Sequence, residues 1–257
     1  MHKTLSLIFL GLAFHPAVGA AAAASAKGVD RLAYVNILQG TDSHPDLSHG
    51  NTLPLVGAPW GMIDWSLENA KGSWFFEPNG KIDGFRATHQ PSPWIADYGQ
   101  FVLMPKSGEL QMDAGARMSE YDTATSVLRP DYEKLDLKKG GITVELTATE
   151  RAAVFRLTYH QGERGRLILN ACGGSEIKIE GRTIRGLSRT NSGGVTGDFA
   201  SYFVIKLDRE IIKTDVYVAN VATGGSSGKG DNVAAYVEFQ TAPGHPVEMQ
   251  VGTSLIS

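Results

Sequence analysis

This sequence predicts an all-β protein, a large β-sandwich with long aromatic-rich loops, on three observations. From about residue 100 onward, apolar and polar residues alternate with a period of two, as strands with one buried face require. Glycine supplies 30 of the 257 residues, roughly 12% where about 7% is usual, without excess proline or a repeat. That density marks tight turns between short strands. Finally, no stretch carries the 3.6-residue apolar pattern of a long amphipathic helix.

In chain order, residues 1–26 read as a leader and not as part of the fold. His2 and Lys3 precede an apolar run from Leu5 to Phe14, then Pro16 and a small-residue tract ending in Ala24-Ser25-Ala26. These are the charged, apolar and exit regions of a secretory signal peptide. The run is about half of the roughly 20 residues a bilayer span needs, and no later run is long enough. Export to the periplasm or the extracellular space without a membrane span is therefore expected, leaving residues 27–257 as one sandwich domain.

The segment from Asn36 to Tyr98 differs in kind. It is rich in Gly, Pro, His and Asn, and it holds all four tryptophans, Trp60, Trp65, Trp74 and Trp94, together with His44, His49 and His89. Long irregular stretches in compact domains are usually functional surfaces, and this aromatic content argues against disorder.

Strands follow. Tyr132 to Leu137 alternates, Gly140-Gly141 turns, and Ile142 to Thr147 alternates back as a hairpin. Further runs are Ala153 to Tyr159, Arg166 to Asn170, Glu176 to Glu180, Thr183 to Leu187, Ser201 to Leu207, Ala234 to Phe239 and Val247 to Leu255. Gly181, Gly193-Gly194 and the Gly224 to Gly230 tract punctuate them, the last reading as a flexible loop. The final strand is expected to run to the end of the chain, which suggests a truncated chain or a domain boundary in a longer parent.

Composition excludes several function classes. With 24 basic and 27 acidic side chains and a net charge of −3, the chain lacks the clustered basic face of a nucleic-acid binder. The single cysteine, Cys172, forms no internal disulfide and sits beside a strand, so a buried, inert thiol is expected. Gly224-Gly225-Ser226-Ser227-Gly228 matches G-x-S-x-G, but no strand-turn-helix elbow surrounds it. The same tract lacks the first glycine and the Ser/Thr of a phosphate loop. His44 and His49 flank Asp42 and Asp46, yet a five-residue spacing on a loop fixes no metal geometry.

Inverting glycoside hydrolysis needs two carboxyls roughly 6.5–9.5 Å apart, and Asp42, Asp64, Glu68, Glu77, Asp83 and Asp97 are candidates, with no spacing that selects a pair. Tryptophans beside amide and hydroxyl groups suit a sugar face, though a large indole more often serves the core. Trp60 and Trp65 read as core. Trp94, which follows Pro91 and Pro93, reads equally as core or as a sugar-facing ring.

The runs GTDSHPDLSHGNTLPLVGAPWGM (40–62), GSWFFEP (72–78) and GFRATHQPSPWIADYGQFVLMP (84–105) together resemble glycoside hydrolase family 92. The resemblance continues through the strands to VGTSLIS (251–257). It implies a supersandwich-like N-terminal β-sandwich that is paired, in the family, with a larger helical (α/α) barrel. It further implies calcium-dependent, inverting exo-α-mannosidase activity for the complete enzyme. The general acid, the base and most calcium ligands belong to the barrel. The resemblance therefore assigns no catalytic residue and no metal ligand to this chain, and no calcium is expected on the chain alone.

The implied partners are an α-mannoside glycan and the barrel domain of the same parent. Thr88, His89, Gln90 and Trp94 of the THQPSPW block, with His49, Asn51 and Thr52 of the SHGNT block, are the substrate-binding residues the resemblance carries over. The expected role is the sandwich half of a secreted exo-α-mannosidase, inactive alone. The alternatives are a free-standing carbohydrate-binding module or a non-functional remnant.

Overall fold

The computed structural model describes residues 29–42, 52–59, 61–69, 76–90, 99–191 and 193–256. The predicted leader lies outside them. Among the described residues, no helix is long and apolar enough to cross a membrane.

Two large antiparallel sheets face each other. The first runs, edge to edge, β1 (Leu55–Val56), β2 (Asp64–Glu68), β4 (Gly84–Thr88), β5 (Gly99–Ser107), β11 (Arg164–Ala171), β18 (Ala234–Gln240), β15 (Ile211–Val218) and β16 (Val221–Ala222). The second runs β17 (Ser227–Asp231), β12 (Gly174–Glu180), β13 (Thr183–Ser188), β14 (Ser201–Leu207), β19 (Val247–Ser254), β10 (Ala152–Tyr159), β9 (Ile142–Ala148), β8 (Glu133–Leu137) and β7 (Val127–Leu128). A small ladder pairs β3 (Lys81–Ile82) with β6 (Ser119–Glu120). One short helix, α1 (Ala114–Arg117), is capped by the Asp113 carboxylate, which accepts from the Ala116 amide at 2.9 Å. This is the predicted all-β sandwich.

The period-two pattern acts as expected. Along β10 the buried residues are Ala153, Phe155, Leu157 and Tyr159, and the alternate positions face outward. The β8–β9 hairpin closes through Gly140 and Gly141 at φ 93° and 57°, a left-handed pair that L side chains adopt only with strain. Aromatic side chains tie the two layers together. Trp65 of β2 packs edge-to-face on Phe101 of its own sheet, with ring centroids 5.6 Å apart, and on Phe155 of the facing sheet at 4.9 Å. Phe101 in turn meets Phe203 across the interface at 4.3 Å. Trp65 is 1% exposed, so its core reading holds. Trp60, Trp74 and Trp94 lie outside the described residues.

Three expectations need correction. The aromatic-rich segment is not irregular throughout: β1 to β4 lie inside it. Asp-Trp-Ser-Leu-Glu of β2 alternates like any half-buried strand, with Trp65 and Leu67 inward, although a buried Ser66 and the surrounding Gly and Pro mask the pattern. The Gly/Ser tract is no free loop from Ser227 onward. Ser227–Asp231 pairs with β12 as an edge strand, because backbone pairing needs no side chain and an edge tolerates glycine. Ile211–Val218, not foreseen as a strand, is β15, whose register slips between Ile211 and Lys213 and breaks the alternation.

Candidate functional site

The carried-over residues that the structure describes, Thr52, Thr88, His89 and Gln90, lie along the β1-β2-β4-β5 edge of the eight-stranded sheet. Thr88 ends β4 and is buried. Its hydroxyl accepts from the Gln90 amide at 3.2 Å and lies 3.3 Å from the Gln90 carbonyl, a local turn that aims the chain out of the sheet. His89 contacts the Gln100 side-chain amide through Nδ1 at 3.3 Å, joining the two ends of the segment 91–98. Gln100 is 1% exposed, and its Oε1 has no hydrogen-bond partner among the described residues. Trp94 itself lies outside the described residues.

Thr52 sits elsewhere. Its amide donates to the Gly40 carbonyl at 2.9 Å and its hydroxyl to the Gln39 carbonyl at 2.7 Å, which closes the neck of segment 43–51. That neck is joined to the next segment, because the Asp42 amide donates to the Phe76 carbonyl at 2.9 Å. His49 and Asn51 lie outside the described residues. β1 runs antiparallel to β2, so Thr52 falls beyond the Glu68 end of β2, while Thr88 pairs with Asp64 at the opposite end. The structure thus groups Thr88, His89 and Gln90 but sets Thr52 apart by the length of β2, about 13 Å at ~3.3 Å per residue.

Between the two loop bases lies a charged cluster that sequence reading did not assemble. Arg86 of β4 grips the Glu68 carboxylate of β2 through two hydrogen bonds, one from Nε and one from Nη2. Burial works against the Arg86 charge, but Glu68 more than offsets it and holds the guanidinium protonated. Arg117 reaches in from α1. Its Nε donates to the Asp83 carbonyl at 3.0 Å, and its Nη1 bonds the Asn170 side chain on β11. Arg117 is 4% exposed and Asp83 is 3% exposed.

The Asp83 Oδ1 has no hydrogen-bond partner among the described residues. Burial, then the nearby Glu68 charge, pushes its carboxyl from 3.8 up to about 6, against the pull of Arg117 and Arg86. Burial likewise raises the Cys172 thiol, so it is not a poised nucleophile. Asp64 packs so close to Gly57 that a Cβ there would meet its Oδ1 at 1.9 Å.

These carboxyls do not form an acid–base dyad. Glu68 is committed to Arg86, and Asp83 is sealed beneath Arg117. Nor do they suit a calcium ion, which takes six to eight oxygens. Two guanidiniums crowd the cluster, and among the described residues no group of three or more His, Cys, Asp and Glu could hold a metal. The arrangement is a rigid platform under the loop bases. In the sequence, its only trace is a polar residue set among apolar ones in each strand: Arg86 within Gly-Phe-Arg-Ala-Thr of β4, and Gln100 before Phe101 in β5.

Residues 34–254 match the model of the Glycosyl hydrolase family 92 N-terminal domain. Among solved structures, the chain is 34% identical to an inverting mannosidase of family GH92 from Bacteroides thetaiotaomicron, with a TM-score of 0.82 over 88% of this chain and 32% of that one. It is 22% identical to a GH92 alpha-mannosidase of the same organism in complex with mannoimidazole, with a TM-score of 0.74 over 88% and 32% of the two chains. The GH92 glycosyl hydrolase ccman5 shares 16% identity and a TM-score of 0.70, over 87% and 32%. The last two likenesses speak to the fold alone. The chain spans about one third of the length of these solved proteins. A comparison with curated proteins finds no match.

Proposed function

The chain belongs to glycoside hydrolase family 92 as its N-terminal domain, and from that premise we propose that it is the sandwich half of an exported exo-α-mannosidase. The observation that carries the reading is the match of residues 34–254 to that domain, together with 34% identity to an inverting mannosidase of which it covers one third. Inversion requires an acid and a base in one site, with water between them. In this reading both come from a helical domain beyond these 257 residues, and so does the calcium that the family implies. The chain alone is inactive.

Its own residues bind and orient. Trp94 covers the apolar face of the mannose ring, while His89 and Gln90 offer hydrogen-bonding groups. The Thr88 turn and the His89–Gln100 contact fix the base of that loop before sugar arrives, which limits the ordering cost of binding. The Glu68–Arg86 pair stiffens the sheet edge beneath. His49 and Asn51 act from the neighbouring loop, whose neck Thr52 closes. Export follows removal of residues 1–26.

A released-mannose assay tests the reading. The purified chain with calcium should release no mannose from α-mannosides, and activity should return when the parent's helical domain is supplied. Turnover by the isolated chain that disappears on changing a single carboxylate would overturn it. N-terminal sequencing of the exported protein should begin near Lys27; a retained Met1 would remove the export claim.

A further inference from the structure

We propose that the outer face of the nine-stranded sheet carries a separate, non-catalytic saccharide site, a groove across β17, β12, β13 and β14 that takes an anionic sugar. The proposal is independent of the family reading, since the groove lies on the sheet opposite the one that bears the loop bases.

Its shape follows from register. One outward rung runs Lys229–Glu176–Leu187–Tyr202, and the next outward rung runs Ser227–Lys178–Arg185. Same-face rungs stand about 7 Å apart. The rung between them is Gly228–Ile177–Gly186, in which Ile177 points inward at 2% exposure, so the floor is bare backbone. The cavity measures about 450 Å³, within the roughly 300–1,000 Å³ of small-molecule sites.

Its chemistry is mixed. Tyr202 and Leu187, both partly exposed, offer an aromatic ring and an apolar neighbour for the CH face of a pyranose. Around them the charges do not cancel. Lys229 pairs with Glu176 at 2.5 Å and Lys178 with Glu180 at 2.7 Å. Arg185 is left exposed, with no hydrogen bond or ion pair among the described residues. Arg185 acts on the Glu180 carboxylate only at longer range, and a guanidinium with no close partner beside an aromatic ring fits a sugar that carries a phosphate or a carboxylate. The planar fork binds either group bidentately, and no existing pair has to break first. On a chain of net charge −3, this local positive excess is what selects an anionic occupant over a neutral one.

Calorimetric or NMR titration of the full 257-residue chain tests the site with four probes: mannose 6-phosphate, glucuronate, methyl α-mannoside and inorganic phosphate. At least one anionic sugar should bind more tightly than both the neutral mannoside and free phosphate, and the phosphate and carboxylate arms identify which anion is preferred. Arg185→Gln should weaken that sugar about tenfold and change the neutral mannoside by less than about twofold, with Arg185→Lys between. Tyr202→Ala should weaken every sugar and leave free phosphate unchanged. All three substitutions sit on an outer face, and an unchanged melting curve confirms the fold. The proposal is overturned if neither anionic sugar saturates, if inorganic phosphate binds as tightly as the sugar phosphate, or if Arg185→Gln leaves the affinity intact.

Discussion

The Asp83 carboxyl sets two forces against each other, and its titration shows which prevails. Burial and the neighbouring Glu68 raise it, while Arg117 and Arg86 lower it; the outcome is a shift from 3.8 up to about 6. Over that window the folded chain keeps a proton that the unfolded chain has released. Stability contributed at Asp83 is therefore complete below about pH 4 and falls as pH rises toward 6. A shift of about two units at ~1.4 kcal/mol per unit makes the loss about 3 kcal/mol.

Asp83→Asn keeps the shape and cannot titrate. The stability difference between parent and variant should accordingly move against the parent by about 3 kcal/mol between pH 3.5 and pH 7. Urea unfolding at several pH values measures it, provided the m-values agree. Taking the difference removes the titration of every other group common to both chains. A difference that does not vary with pH would show that burial and the two arginines balance. A slope of the opposite sign would show that Arg117 dominates and that Asp83 is an ordinary buried ion pair.

Other outcomes follow from the same structure. Trp65→Ala opens a cavity between the sheets and should cost about 3–5 kcal/mol, a fall in Tm of roughly 6–20 °C; thermal melting checks it, and a loss under about 1 kcal/mol would contradict the packing described. Glu133 is buried at 1% exposure on the inward side of β8, with both carboxyl oxygens unpartnered among the described residues, and burial raises it well above 4.5. Glu133→Gln should remove a loss of stability of about 1.4 kcal/mol per pH unit that begins above pH 4.5; urea unfolding of parent and variant at pH 4.5 and pH 7 checks it, and a stability difference that is the same at both would refute this. In the complete two-domain enzyme, Trp94→Ala should weaken catalysis with almost no change in Tm; a stability loss of about 3–5 kcal/mol would place the indole in the core instead.

What the sequence by itself determined is what depends on neighbours in the chain. The β8–β9 hairpin is legible because its turn glycines and both alternating runs lie within a few residues of each other. Ser201–Leu207 is legible because alternation alone decides which of its faces is buried. The order of chemistry-bearing blocks from Gly40 to Pro105 is likewise a linear property, and it was enough to identify the family and to mark Thr88-His89-Gln90 as the start of a loop; the hydrogen-bonded turn at Thr88 came from the structure. Tertiary structure decided the rest, because partners distant in sequence supply the energy. β17 is a strand only because β12 offers its edge, and glycine-rich residues 227–231 carry no side-chain pattern to announce it. Arg117 meets Asp83 across 34 residues and Asn170 across 53. No spacing rule joins such groups, and the unusual ionisation of Asp83 arises from a burial that exists only once the sheet and α1 have closed over it.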